Sequence, residues 1–296
     1  MQFLREPALF PARLAGEPWG TGRATLTLAG EAFGVAGASD AQLESLGARY
    51  GSRLVTDAAV RPRMTLEIFR APASDFVEID TRGWEYWLDL EWSVDALAIA
   101  GMRLMARLDF SSGRGAIWTS VDDVEEFWGI VENVLRPLLA ASLLRDGGLL
   151  VHSTGAGGLL FPGASGDGKS TIASLSLSAG VAVLSDDLNA VVRTASGFVL
   201  MPLPFSGELR EHELATDPQP LRAVVGLHKG AMESLAPLTL AAATALIVSA
   251  APYVNQNPGM ASQLLDRAAE IASGIPRATL TFRRDGNVWP ILESLR

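Results

Sequence analysis

Over the first 120 residues, apolar and polar positions alternate in short runs broken by turn residues. "ATLTLAG" (24–30), "RMTLEIF" (63–69), "DFVEID" (75–80), "EYWLDLEWSV" (85–94) and "LAIAGMRLMARLDF" (97–110) carry β-branched and aromatic residues in the pattern of strands. Glycine pairs and "SSGRG" (111–115) supply turns between them. "SDAQLESLGARYG" (39–51) opens on Ser and Asp and closes on Gly, which predicts a short helix. The expectation is a smaller, mostly antiparallel β-rich α+β domain over residues 1–120.

Beyond it the period changes to three and four, with Val124, Phe127, Trp128, Val131, Val134, Leu135, Leu138 and Leu139 on one stripe. Ser120 or Asp122 would cap this long helix, Gly147 would end it, and Pro137 should kink it. Then come two apolar runs, "GLLVHST" (148–154) and "GGLLFP" (157–162), a glycine-rich loop, a helix "TIASLSLSAG" (171–180) and a buried-strand run "VAVLS" (181–185). "MASQLLDRAAEIASG" (260–274) reads as an amphipathic helix and "RATLTFR" (277–283) as a late strand. Residues 121–296 are therefore expected to form a second domain, an α/β nucleotide-binding core with a mixed sheet and flanking helices. The uncharged run "LAPLTLAAATALIVSAAP" (235–252) is short for a membrane span and is expected to be a buried core helix.

Composition narrows the function classes. The net charge of −9 argues against broad binding to nucleic acid or an anionic membrane. With no cysteine, disulfides and thiolate metal sites are excluded. The N-terminal "MQFLREPALFPARLAG" lacks a long apolar stretch, so a cytoplasmic protein is expected.

The chemistry concentrates at "GASGDGKST" (163–171), which fits G-x-x-x-x-G-K-[ST], the Walker A spacing, through Gly163, Gly168, Lys169 and Ser170. Small residues there, Ser165 and Gly166 among them, let successive backbone N–H groups converge on a phosphate. Lysine reaches the outer phosphates and the serine hydroxyl reaches Mg²⁺. Of the 24 cationic residues only Lys169 and Lys229 are lysines, so a flexible point charge at this position stands out from the arginine habit of the chain. Asp167 and Thr171 complete the expected ATP-binding set. Asp186 and Asp187 follow on the next strand, and two acids there can divide the labour of holding Mg²⁺ and accepting a hydroxyl proton.

The segment from His152 to Val191, "HSTGAGGLLFPGASGDGKSTIASLSLSAGVAVLSDDLNAV", resembles the HPr kinase/phosphorylase-like P-loop family, and its loop and acid pair are similar to those of phosphoenolpyruvate carboxykinases. "PLPFSGEL" (202–209) and "PLRAVVGLHKG" (220–230) are similar to the HPr-kinase-related serine kinase branch. The resemblance implies an HPr-kinase-like P-loop fold in which Lys169 contacts the β- and γ-phosphates, Ser170 ligates Mg²⁺, and His152 orients a carboxylate. It makes Asp186 the candidate base and Asp187 the metal partner, with the two roles open to exchange.

Ser153 and Thr171 depart from the family's usual Gly and Glu, and no "EIRGLG"-like segment follows, which counts against HPr itself as acceptor and against a phosphorylase reaction. Glu208, Arg210, His228 and Lys229 are further candidates near the acceptor, with His212 behind them. The expected activity is ATP- and Mg²⁺-dependent transfer of the γ-phosphoryl group to a hydroxyl, on serine of a protein or peptide partner. The N-terminal domain would help choose that partner, and the resemblance makes a homo-oligomer plausible. A nucleotide-binding sensor or scaffold without catalysis, and a carboxykinase-like or small-molecule phosphotransferase, are the alternatives.

Overall fold

The computed structural model describes residues 10–56, 60–76, 88–205, 207–209 and 214–295. The chain is mixed α/β, with two mixed sheets and flanking helices. It divides into two compact units, Met1–Leu138 and Leu139–Arg296.

The first unit holds β1 (Gly22–Leu28), β2 (Glu31–Ala38), α1 (Asp40–Tyr50), β3 (Leu54–Val55), β4 (Met64–Arg70), β5 (Leu88–Trp92), β6 (Ala96–Gly101), β7 (Leu104–Asp109) and β8 (Arg114–Thr119). The strands form one sheet in the order β3-β1-β2-β4-β8-β7-β6-β5. Pairing is antiparallel except at its middle, where β2, β4 and β8 run parallel. The expected strand "DFVEID" falls largely on residues 77–80, and "EYWLDLEWSV" begins at 85–87, both outside the described residues.

Helix α1 starts where its sequence says it should. Ser39 and Gln42 form a reciprocal capping box, satisfying two N–H groups that a helix start otherwise leaves unpaired. Buried Gln42 also donates through Nε2 to the Val121 carbonyl at 2.9 Å, which docks the helix. The long helix α2 (Phe127–Arg145) begins later than Ser120 or Asp122. Asp123 instead takes the Glu126 amide at 2.7 Å, closing a local turn ahead of the helix. The boundary between the compact units falls inside α2, with Phe127–Leu138 in the first unit. Glu132 fixes that stretch there, accepting from Arg49 at 3.1 Å and from Arg136 at 2.6 Å.

The second unit continues with β9 (Leu149–Ala156), β10 (Leu159–Pro162), α3 (Lys169–Ser178), β11 (Val183–Ser185), β12 (Leu188–Thr194), β13 (Gly197–Met201), β14 (Gln219–Pro220), β15 (Ala223–Lys229), β16 (Ser234–Pro237), α4 (Leu240–Ser249), α5 (Ala261–Ser273), β17 (Arg277–Phe282) and α6 (Trp289–Leu292). The sheet order is β14-β13-β12-β9-β10-β15-β17-β16, with β11 also on β9. Strand β9 is its hinge line: β10 pairs with one edge and the successive strands β11 and β12 with the other. The acid pair thus reaches the loop across β9, and not from a strand beside β10. Helix α3 packs Ile172 and Ala173 onto a core of Phe161, Val225, Leu280, Phe282 and Trp289.

The apolar run 235–252 splits in two. Residues 234–237 form strand β16, and Thr239 caps a ten-residue helix of which Ala243, Thr244 and Ile247 are buried. It is a helix with one covered face, shorter than the core helix expected. Among the described residues one helix, α2, is long and apolar enough to cross a membrane, and 78% of its apolar window is buried.

Candidate functional site

The glycine loop leaves β10 at Pro162 and turns into α3 at Lys169. Gly166 and Gly168 adopt φ of +88° and +102°, the left-handed region open to glycine. At Gly168 a Cβ would also lie 2.7 Å from Phe282 Cζ, so no other residue fits that turn. The first amide to close the helix is that of Ile172, on the Gly168 carbonyl at 3.0 Å. The N–H groups of Lys169, Ser170 and Thr171 precede it and have no acceptor inside the helix, so they add to the positive end of its dipole. Residues 164–167 are exposed in front of them.

The loop is braced from within. The Asp167 carboxylate accepts the Ala164 amide at 2.6 Å, and Lys169 Nζ donates to the Ala164 carbonyl at 2.8 Å. The buried Thr154 hydroxyl on β9 donates to the Lys169 carbonyl at 2.8 Å, tying the start of α3 to the sheet. Burial holds the Lys169 ammonium below its ordinary pKa, and the carboxylates of Asp167, Asp187 and Asp186 pull it partly back.

Across β9 the acid pair sits in the bend between β11 and β12. The Ser153 amide on β9 donates to the Asp187 carbonyl at 2.8 Å, and the Asp187 amide donates to the Ser185 hydroxyl at 3.1 Å. The half-buried side chain of Asp187 places Oδ1 3.4 Å from His152 Nε2. His152 has its pKa lowered, first by burial and then by the charge of Lys169, against the opposing pull of Asp187 and Asp167. It is therefore a neutral imidazole near pH 7.

Asp186 is placed differently. Its side chain is buried, and its two oxygens accept the backbone amides of Gly207, Glu208 and Leu209 at 2.9, 2.8 and 3.2 Å. No known protein family matches the chain, and no curated protein does.

His152, Lys169, Asp167 and the acid pair are thus gathered around the start of α3, where Ser170 and Thr171 also lie. Glu208 is joined to them through its backbone. His228 and Lys229 end β15, in register with Thr281 and Phe282, and no hydrogen bond or ion pair among the described residues links them to the loop. Arg210 and His212 lie outside the described residues.

Sequence reasoning passed over Asn189, which is fully buried and donates to the Ser153 carbonyl and hydroxyl at 2.7 and 3.1 Å. It braces β9 beside His152. Its signal was an amide inside an otherwise apolar strand run, "LNAVV". Among the described residues, no group of three or more His, Asp and Glu is placed to hold a metal ion. The oxygen donors at hand, Ser170 and the acid pair, suit a Mg²⁺ ion that takes much of its shell from phosphates and water.

Proposed function

We propose that the protein is an ATP- and Mg²⁺-dependent kinase of HPr-kinase-like type that transfers the γ-phosphoryl group to a hydroxyl, on serine of a protein or peptide. The observation that carries this reading is the meeting of a glycine loop and a His–Asp pair at one helix start: His152 Nε2 lies 3.4 Å from Asp187 Oδ1, and the charge of Asp187 acts on both His152 and Lys169.

The unpaired amides of Lys169, Ser170 and Thr171 bind the phosphates, and Lys169 exchanges its Ala164 carbonyl for a phosphate oxygen. Ser170 would hold Mg²⁺, which neutralises charge on the phosphates when bound and takes the rest of its shell from phosphates and water. The acceptor proton goes to Asp187. Of the two acids it is the more open to solvent, whereas both oxygens of Asp186 already accept backbone amides. This moves to Asp187 the base role that the family resemblance gives Asp186, whose oxygens serve the backbone of residues 207–209. Neutral His152 orients the Asp187 carboxylate and adds no competing positive charge.

The test is incubation of γ-labelled Mg·ATP with the purified protein and a panel of serine peptides, proteins and small alcohols. Label should move to an acceptor hydroxyl. Asp187→Asn should keep nucleotide binding and lose transfer by about 100-fold, the scale of a removed general base. Transfer by Asp187→Asn at the wild-type rate would remove the assignment of the base, and tight binding with label left wholly on ATP would favour a nucleotide sensor.

A further inference from the structure

Ser185 and Asp186 both reach across to a distant stretch of chain. The Ser185 hydroxyl donates to the Phe205 carbonyl at 2.9 Å, and the Asp186 carboxylate takes the next three described amides, Gly207, Glu208 and Leu209. Asp186 is 4% exposed, and no described cation lies within ion-pair distance of it. Its negative charge is balanced by backbone dipoles, an arrangement that works only while those amides stay in place.

Two neighbouring residues fit the arrangement. A Cβ on Gly207 would lie 3.1 to 3.3 Å from all three carboxyl atoms of Asp186, so glycine lets the chain close on the carboxylate. Leu209 packs against the core on which α3 rests. The bend that carries Asp186 is the same bend that presents Asp187 to His152.

We propose that Asp186 is a positioning residue: its carboxylate clasps residues 207–209 to the bend between β11 and β12, and the clasp holds both the wall beside the acceptor and the Asp187–His152 pair in register. The effect on turnover rests on the phosphotransfer reading above. The clasp itself does not.

The test measures amide hydrogen exchange at residues 207–209, with turnover alongside. In Asp186→Asn, which keeps one acceptor oxygen, exchange should quicken about threefold, and in Asp186→Ala about tenfold or more, as local opening becomes easier. Asp187→Asn should leave exchange there at the wild-type rate. Gly207→Ala, which crowds the carboxylate from the other side, should reproduce the Asp186→Asn change. Combined with Asp186→Asn it should add less than its own effect, because both act on one contact.

In slow hydrolysis of Mg·ATP, Asp186→Asn should lower kcat by about tenfold and leave KM for ATP within about threefold, since the loop and Lys169 are untouched. Unchanged exchange in both Asp186 variants would overturn the clasp. Faster exchange with unchanged kcat would overturn the positioning role. If the wild type turns over no ATP but exchange responds as stated, the kinase reading fails and the clasp stands.

Discussion

Two carboxylates in this protein are equally hidden, each with 4% of its residue surface exposed: Glu132 in the first unit and Asp186 in the second. Glu132 lies against the guanidinium groups of Arg49 and Arg136. Asp186 meets backbone amides, while Lys169, whose charge it feels, is directed to a loop carbonyl. The first arrangement joins two helices and uses up its cations. The second leaves the Lys169 ammonium on a loop carbonyl and outside any ion pair among the described residues. Burial alone therefore does not separate a structural acid from a site acid, but the partner does.

The same contrast holds for other buried polar groups. In the first unit Gln42, Ser45 and Thr119 each tie one element or turn to the next. In the second, Ser153, Thr154, Ser185 and Asn189 are all within the supports of the loop and acid pair. Ser176 and Asn257 of the second unit serve only their own local backbone, so the contrast lies between these two sets of residues and not between whole units, and substitutions should separate the sets.

The largest expected effect is on Glu132. Glu132→Ala leaves two guanidinium groups without their acid and should cost about 3–5 kcal/mol, read from the urea midpoint, with nucleotide affinity unchanged. Gly168→Ala should follow, at about 1–3 kcal/mol from its left-handed backbone and the close approach of Phe282, together with loss of nucleotide binding in a titration. Asp186→Asn should lower the urea midpoint less than Glu132→Ala, at about 1 kcal/mol, because water can reach the released amides of Gly207 and Glu208.

The smallest effect is a pH slope. His152 is held below its ordinary value of 6.5 in the folded protein, so as pH falls past that value the unfolded chain takes up a proton before the folded one does. The stability contributed above 6.5 is lost as pH falls toward the folded pKa, and the loss levels off below it. His152→Gln should remove that part of the slope when urea midpoints are compared across this range.

The turn into α3 was legible because its signals are local: the glycines, Lys169 and Ser170 are contiguous from Gly163 to Thr171, so spacing alone exposes a glycine turn at a helix start. Helix α1 was legible for the same reason, through Ser39, Asp40 and Gly51. Strands β2 and β8 were not marked, because they flank β4 in the parallel middle of their sheet and are buried on both faces, which erases alternation. The run 235–252 misled because uniform apolarity carries no period, and Pro237 with Thr239 divides it. Asp186 and Asp187 were legible as a pair but not as individuals. Which of them meets the amides of residues 207–209 is decided by a stretch more than twenty residues away, and no local spacing reports it.

The most direct test of the phosphate site is a titration of Mg·ATP into the wild type and into Lys169→Ala. The wild type should bind saturably, and Lys169→Ala should bind about 10- to 100-fold more weakly, the worth of one charge-assisted contact, with a loss of stability limited to about 1 kcal/mol for its bond to the Ala164 carbonyl. Equal affinity in the two proteins, or no binding by the wild type, would contradict the account.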